Sequence, residues 1–271
     1  MAAPTLQEYE YQYKDTGIKL NGSVAVPFVD ITKVTGLGLA TVSASTADVD
    51  GAHGGSVYAK FLSFRSIVLD GNIYTNAATT DVYCDSLITN FMPDDINYPF
   101  YFRGAGIAQR YIMCKSTGIK FDIDNLRGYG KSPVQITLAA SDPRKYVDNA
   151  DITMTANTNY NITNNGNMNS YPLFTITGAW SYITLTDVTQ NKSVILTDSR
   201  VAGDITVVDF LKRSVTVNGI RKSSIVTTNN WWDFPAASND QIKFTVTGTP
   251  TSVVVATKQA WGLYGRLCYR I

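Results

Sequence analysis

The chain is punctuated every few residues by turn chemistry, and between the turns apolar residues alternate with polar ones. Ile242, Phe244 and Val246 alternate with Lys243, Thr245 and Thr247. A period of two puts one set on each face of a strand, so this segment reads as a half-buried β-strand. The same reading applies to Ile119/Phe121/Ile123, Ile136/Leu138, Phe174/Ile176, Ile183/Leu185 and Val215/Val217. Asn218-Gly219 follows a β-branched run and favours a type I′ hairpin, and Asp70-Gly71 after "SIVLD" predicts a second tight turn. The fold class is therefore all-β. One segment departs from the pattern. "TTDVYCDSLITNFMPDD" offers Thr80 or Asp81 as an N-cap and Pro93 as a stop, predicting one short helix near 81–92. Val82, Tyr83, Leu87, Ile88 and Phe91 would form its apolar face.

With 271 residues, 44% of them hydrophobic and 17% charged, the chain can bury a large core or two smaller ones. A break near residue 150, where "AASDPRKYVDNAD" turns through Asp142-Pro143 into an Asn-rich stretch, predicts two β-rich domains, 1–150 and 151–271. The net charge of +1 and the lack of a basic patch argue against sequence-specific nucleic-acid binding. No apolar run reaches the ~20 residues of a membrane span. The opening "MAAPTLQEYEYQYKD" has neither a basic nor an apolar signal region, so no secretion signal is expected.

Chemistry finds little support. The three cysteines, Cys84, Cys114 and Cys268, are far apart and read as buried free thiols. His53, the single histidine, sits in the glycine-rich "VDGAHGGSVY" without a second histidine for a metal or a nucleophile elbow for a triad. The carboxylate pairs Asp94-Asp95, Asp122/Asp124 and Asp204/Asp209 raise the glycosidase question, which turns on two carboxyls facing across a cleft. Asp94-Asp95 reads as a polar helix end and Asp122/Asp124 as a solvated strand face. Gly36-Leu37-Gly38 and Gly104-Ala105-Gly106 lack the strand–helix setting of a nucleotide fingerprint and read as loops. No catalytic residue, metal ligand or cofactor site is expected.

The remaining candidate is "NNWWDFPAASNDQIKFTVTG", residues 229–248. Neighbours on a strand point to opposite faces, so one of Trp231 and Trp232 would enter a core and the other face outward or meet a neighbouring domain. A buried indole N–H would need an acceptor, such as a loop carbonyl. The alternative use for such a pair is stacking on a saccharide.

Read in order, "NNGNMNSYPLFTITG", "AGDITVVDFLKRSVTVNGI", "WWDFPAASNDQIKFTVTG" and "SVVVATKQAWGLYGRL" resemble the C-terminal domain of siphophage distal tail proteins, the Dit family. "DITKVTGLGLATVSASTADVDGAHGGSVYAKFLSFRSIVLDGNIY" and "RGAGIAQRYIMCKSTGIKFDIDNLRGYGKSPVQITLAASDPRKY" are similar to the family's N-terminal half. Ala236-Ala237-Ser238-Asn239 departs from the family's usual Pro-Gly-Ser-Asn, and the first 20 and last six residues look particular to this chain.

The resemblance implies a structural virion protein, made in the host cytoplasm. It implies an N-terminal ring-forming β domain and a galectin-like C-terminal β-sandwich. It further implies a homo-oligomeric ring of six copies at the distal end of a non-contractile tail. Its partners would be the tail tube protein, the tail-hub or tail-associated protein and the tape-measure protein, with a channel left for DNA. A host-surface saccharide-binding module at the tail tip is the alternative, and a polysaccharide-degrading enzyme the third reading.

Overall fold

The computed structural model describes residues 3–22, 25–48, 55–121 and 129–262, with side chains described for these except at 45–48 and 55–61. The chain divides into two compact units. The first runs through Lys145 and is rejoined by Gly262; the second is Tyr146–Trp261. Both are built of antiparallel strands, and the described residues include one α-helix, Thr80–Asn90. No helix among them is long and apolar enough to cross a membrane.

In the first unit the main sheet runs Lys19–Leu20, Tyr11–Tyr13, Tyr98–Phe102, Arg110–Phe121, Lys131–Ala140, Arg65–Tyr74, Phe28–Thr35. Arg110–Phe121 serves two neighbours. Arg110–Cys114 pairs with Tyr98–Phe102, and from Lys115 to Phe121 the strand pairs with Lys131–Ala140 across an irregularity between Ser116 and Gly118. That break in register lets the sheet curl. Its two ends are joined by Asn21, whose N–H donates to Val29 O at 2.9 Å. The Asn21 side chain accepts from Ile31 N at 2.5 Å and donates to Ile31 O at 3.3 Å. Asn21 is left-handed (φ 62°), a conformation asparagine tolerates better than most residues. Its amide thus stands in for a missing strand residue.

The helix lies on this core through Cys84 and Leu87, with Phe91 just beyond its end. The buried face is narrower than the pattern predicts, since Val82 and Ile88 are exposed. Thr79 occupies the N-cap without a side-chain capping bond, while Thr80 turns inward to Thr75 Oγ1 at 2.6 Å. Phe91 stacks on Tyr13 at 5.3 Å. Tyr13 accepts from Ser116 N through its hydroxyl, and burial pushes that hydroxyl up to about 12.

Asp70-Gly71 is not a turn. It lies inside the ten-residue strand Arg65–Tyr74, paired on both sides. A Cβ on Gly71 would sit 2.2 Å from Asp30 O, opposite an irregularity at Ile31/Lys33. The glycine therefore serves close backbone approach. Val42–Asp48 and Gly55–Leu62 form a separate two-stranded ribbon.

The second unit is organised by two long strands, Leu173–Asp187 and Ser238–Ala256. Leu173–Thr177 lies between Ser252–Ala256 and Ile205–Asp209. Further along, Tyr182–Asp187 lies between Ile242–Thr247 and Lys192–Thr197. The pair changes register at Thr177/Gly178 and Trp180/Tyr182. Gly178 (φ +106°) and Gly248 (φ +130°) sit there, each with partner-strand atoms less than 3 Å from where a Cβ would be. Only glycine fits this bend, which carries the strands from one sheet layer into the next. Phe174, Ile176, Ile183, Leu185, Ile242 and Phe244 all point into the enclosed core, as their alternation predicts. Asn218 and Gly219 both have positive φ between Ser214–Val217 and Ile220–Arg221, the conformation of a type I′ hairpin.

Candidate functional site

After Val226–Asn229 the chain leaves the sheet, and Trp231 N donates back to Asn229 O at 2.8 Å. It returns to pairing at Phe234, which exchanges two backbone bonds with Ser170 at 2.8 and 2.9 Å. Residues 230–237 thus form an arch tied to 164–170. Its fastening is Asn164, fully buried at the end of Tyr160–Asn164. Asn164 Nδ2 donates to Met168 O (2.9 Å), Phe234 O (3.1 Å) and Pro235 O (2.9 Å). Its Oδ1 accepts from Gly166 N (3.1 Å) and Ala260 N (3.3 Å). One side chain therefore serves three separate segments of backbone.

Within the arch Trp232 and Phe234 point inward, and Trp231 and Asp233 are half-buried. Trp232 is 2% exposed. It meets Phe210 at 4.5 Å, Phe234 at 5.5 Å and, edge-on, Phe174 at 6.0 Å. Trp231 is not on the opposite side: it packs edge-to-face on the same Phe210 at 5.0 Å. The chain here is an arch rather than a strand, so strict alternation does not govern it. Trp232 Nε1 is buried without an acceptor, contrary to the expectation of a loop carbonyl. Carbonyls of the arch, at Phe234 and Pro235, are instead taken by Asn164.

The first unit holds a feature the sequence did not advertise. Arg65, 2% exposed, donates to Pro143 O (3.0 and 2.8 Å), Gly36 O (2.5 Å), Gly38 O (2.7 Å) and Gly262 O (3.4 Å). Lys145 Nζ donates to Leu37 O. All three carbonyls of Gly36-Leu37-Gly38 thus face a cation. Burial, with Arg65 and Arg110 nearby, pushes Lys145 down to about 7. The fixed loop leads to a groove of about 410 Å³ lined in part by Leu39 and Phe64, which are 56% and 70% exposed. An isolated arginine in a strand and two loop glycines carry no pattern that reveals such a cluster, because its acceptors are backbone.

The carboxylate pairs are engaged in local structure. Asp94 accepts from Ile96 N and Asp95 pairs with Lys115 at 3.5 Å. Asp204 accepts from Asn218 Nδ2 and Val201 N, which with Arg200 hold it below the usual carboxylate range. Asp209 caps the turn at Lys212 N. Cys84 and Cys114 are buried thiols outside any disulfide, and burial pushes Cys114 up to about 12. His53, Asp122, Asp124 and Cys268 lie outside the described residues. Among the described residues no group of three or more His, Cys, Asp or Glu could hold a metal ion.

Two antiparallel β units, one bearing the helix and the other closed by the tryptophan arch, make up the described chain. Residues 165–260 match the SPP1_Dit family, described as siphovirus-type tail component, C-terminal domain. The SPP1 Dit protein, described as a paradigm of the hub adsorption apparatus in phages infecting Gram-positive hosts, superposes with a TM-score of 0.64. It is 14% identical, over 94% of this chain and 99% of that one. A chain of the phage P2 baseplate in its activated conformation with Ca superposes with a TM-score of 0.59 at 7% identity, over 93% and 98%. At these identities the superpositions establish the fold. No curated protein matches by sequence. The second unit thus carries a match to the C-terminal domain of siphovirus-type tail components, and the chain as a whole has the fold of the SPP1 Dit protein.

Proposed function

We propose that the chain forms a head-to-tail ring, of six copies, at the distal end of a non-contractile tail, joining the tail tube to the baseplate hub. The ring leaves a channel for DNA and the tape-measure protein. The observation that carries this reading is the extent of the likeness: 94% of the chain follows the fold of a hub protein, with 99% of that protein accounted for. The role is structural, and the protein resides in the virion.

The first unit, corresponding to the domain expected over 1–150, carries the subunit interface. Its exposed Leu39, Val42 and Phe64 lie next to the groove and ribbon. Large exposed apolar side chains grouped in this way mark a surface that another chain covers. A ring requires a heterologous contact, in which this patch meets a different one on the next copy. The second unit, expected as 151–271, folds by itself and stays monomeric. Trp231 and Trp232 act in its architecture, with the half-buried Trp231 available to a neighbouring chain, while Trp232 has no ring face to offer a sugar.

Cryo-EM of assembled tails tests this directly. Density for six copies encircling the axis is expected; a dimer on the tail's flank refutes it. Phe64→Asp should leave the free chain folded and block its incorporation. A glycan array positive for the wild type and negative for a folded Trp231→Ala protein would establish the saccharide-binding alternative instead.

A further inference from the structure

Asp187 ends the strand Leu173–Asp187 and Asp240 lies near the start of Ser238–Ala256; they are 0% and 3% exposed. The turn after Asp187 is drawn against the second strand, since Val188 N donates to Gln241 O at 2.7 Å and Gln241 N to Thr189 Oγ1 at 2.9 Å. Asp187 Oδ1 accepts from Gln190 N, and Oδ2 from Gln190 Nε2, both at 2.9 Å. The same Gln190 amide donates to the carbonyl of Asp233, on the tryptophan arch. Asp187 thereby holds the side chain that ties the arch to the turn.

The charged groups facing this network come from three directions. Asp240, which accepts from Ser238 Oγ at 2.6 Å, comes from the partner strand. Asp233 comes from the arch, where its carboxylate accepts from Asn169 Nδ2 at 2.8 Å. Lys192 comes from the next strand, with Nζ 3.0 Å from Gln190 Oε1, and it is exposed to solvent. Two buried carboxylates therefore share the site with no buried cation between them among these groups. Such a pair disfavours double ionisation.

We propose that Asp187 is a proton-operated clasp: on acidification it takes up a proton, its repulsion with Asp240 is relieved, and the second unit is stabilised with the tryptophan arch in place. Burial raises Asp187 above the usual aspartate range; the Gln190 and Thr189 N–H groups oppose the shift, and the charge of Asp240 adds to it. A carboxyl raised in the folded state contributes stability that is fully present below the ordinary aspartate value of about 4 and is lost as pH rises through the raised value. Acidification through that window therefore strengthens this unit at Asp187, whereas Asp198 and Asp204, both held low, weaken it on further acidification.

The test uses the full chain. Carboxyl-carbon NMR should show one aspartate, lost in Asp187→Asn, titrating above the exposed aspartates. Asp240→Asn should move that midpoint down and raise the melting temperature at neutral pH. The wild type should gain melting temperature relative to Asp187→Asn as pH falls from neutrality towards the ordinary aspartate value of about 4. An Asp187 resonance that titrates with the exposed aspartates, or a midpoint unmoved by Asp240→Asn, overturns the proposal. Both readings are made on folded protein, and the first needs no variant that alters the pair except for assignment.

Discussion

Asn164→Ala removes the fastening of the tryptophan arch, and its cost can be worked from the structure. The substitution deletes three donated and two accepted hydrogen bonds. Three of these bonds are buried, at Phe234 O, Gly166 N and Ala260 N. Each intramolecular hydrogen bond is worth about 0.5–1.5 kcal/mol net, and a buried partner left unsatisfied costs about 1–3 kcal/mol. Local relaxation can re-pair Met168 O and Pro235 O with water, because the arch reaches the surface there. The two or three deeper groups then dominate, giving a loss of about 3–5 kcal/mol. For domains of roughly 100 residues 1 kcal/mol shifts the midpoint by about 4 °C or more, so the second unit should melt about 12–20 °C lower. Urea unfolding followed by tryptophan emission reports the same unit, because Trp231 and Trp232 sit on the arch. Asn164→Asp should be worse than alanine, since a carboxylate would face the three carbonyls that the amide now serves. Asn161→Ala, on the exposed face of the same strand, is the control and should be nearly silent. A loss below about 1 kcal/mol for Asn164→Ala, or an aspartate variant as stable as wild type, would refute the assignment of Asn164 as the fastening.

Trp232→Ala should cost about 3–5 kcal/mol in urea unfolding, and Trp231→Ala roughly half as much, because one indole is fully enclosed and the other half-buried; equal effects would contradict the packing on Phe210. Phe244→Ala should likewise cost about 3–5 kcal/mol, while Lys243→Ser on the opposite face stays within about 0.5 kcal/mol. The first unit should gain stability as pH rises from about 7 towards the ordinary lysine value of about 10, because Lys145 is pushed down to about 7 in the folded state and that contribution is lost as pH falls through it. Lys145→Met should flatten this dependence in urea midpoints taken at pH 7 and 9; an unchanged slope would place the titration elsewhere.

What could be read from the sequence was whatever is periodic or local. Phe244 and Lys243 part to opposite faces because the pleat has a period of two, and Asn218-Gly219 makes its hairpin because both residues accept positive φ. The dipeptide Asp70-Gly71 carries the same local signal, yet it lies mid-strand, because its glycine answers to Asp30 on a neighbouring strand 41 residues earlier. Local propensity cannot register a partner that distant in the chain. The helix shows the same limit: Val82 and Ile88 satisfy an apolar pattern, but the segment meets the core through Cys84, Leu87 and Phe91, with Tyr83 partly buried beside them, and those two stay exposed. The tryptophans were visible as a candidate, and their setting was not. It depends on Asn164, and nothing in "NITNNGN" distinguishes the asparagine that fastens five backbone groups from its exposed neighbours. Asparagine is cheap on a surface and costly to bury unless every donor and acceptor is met. The buried one is therefore the position at which the arch, the sheet edge and the strand after it were fitted together, and that fit exists only in three dimensions. The carbonyls around Arg65 and Lys145 follow the same rule: backbone acceptors have no letter in the sequence, so a site built from them becomes legible only when the fold is known.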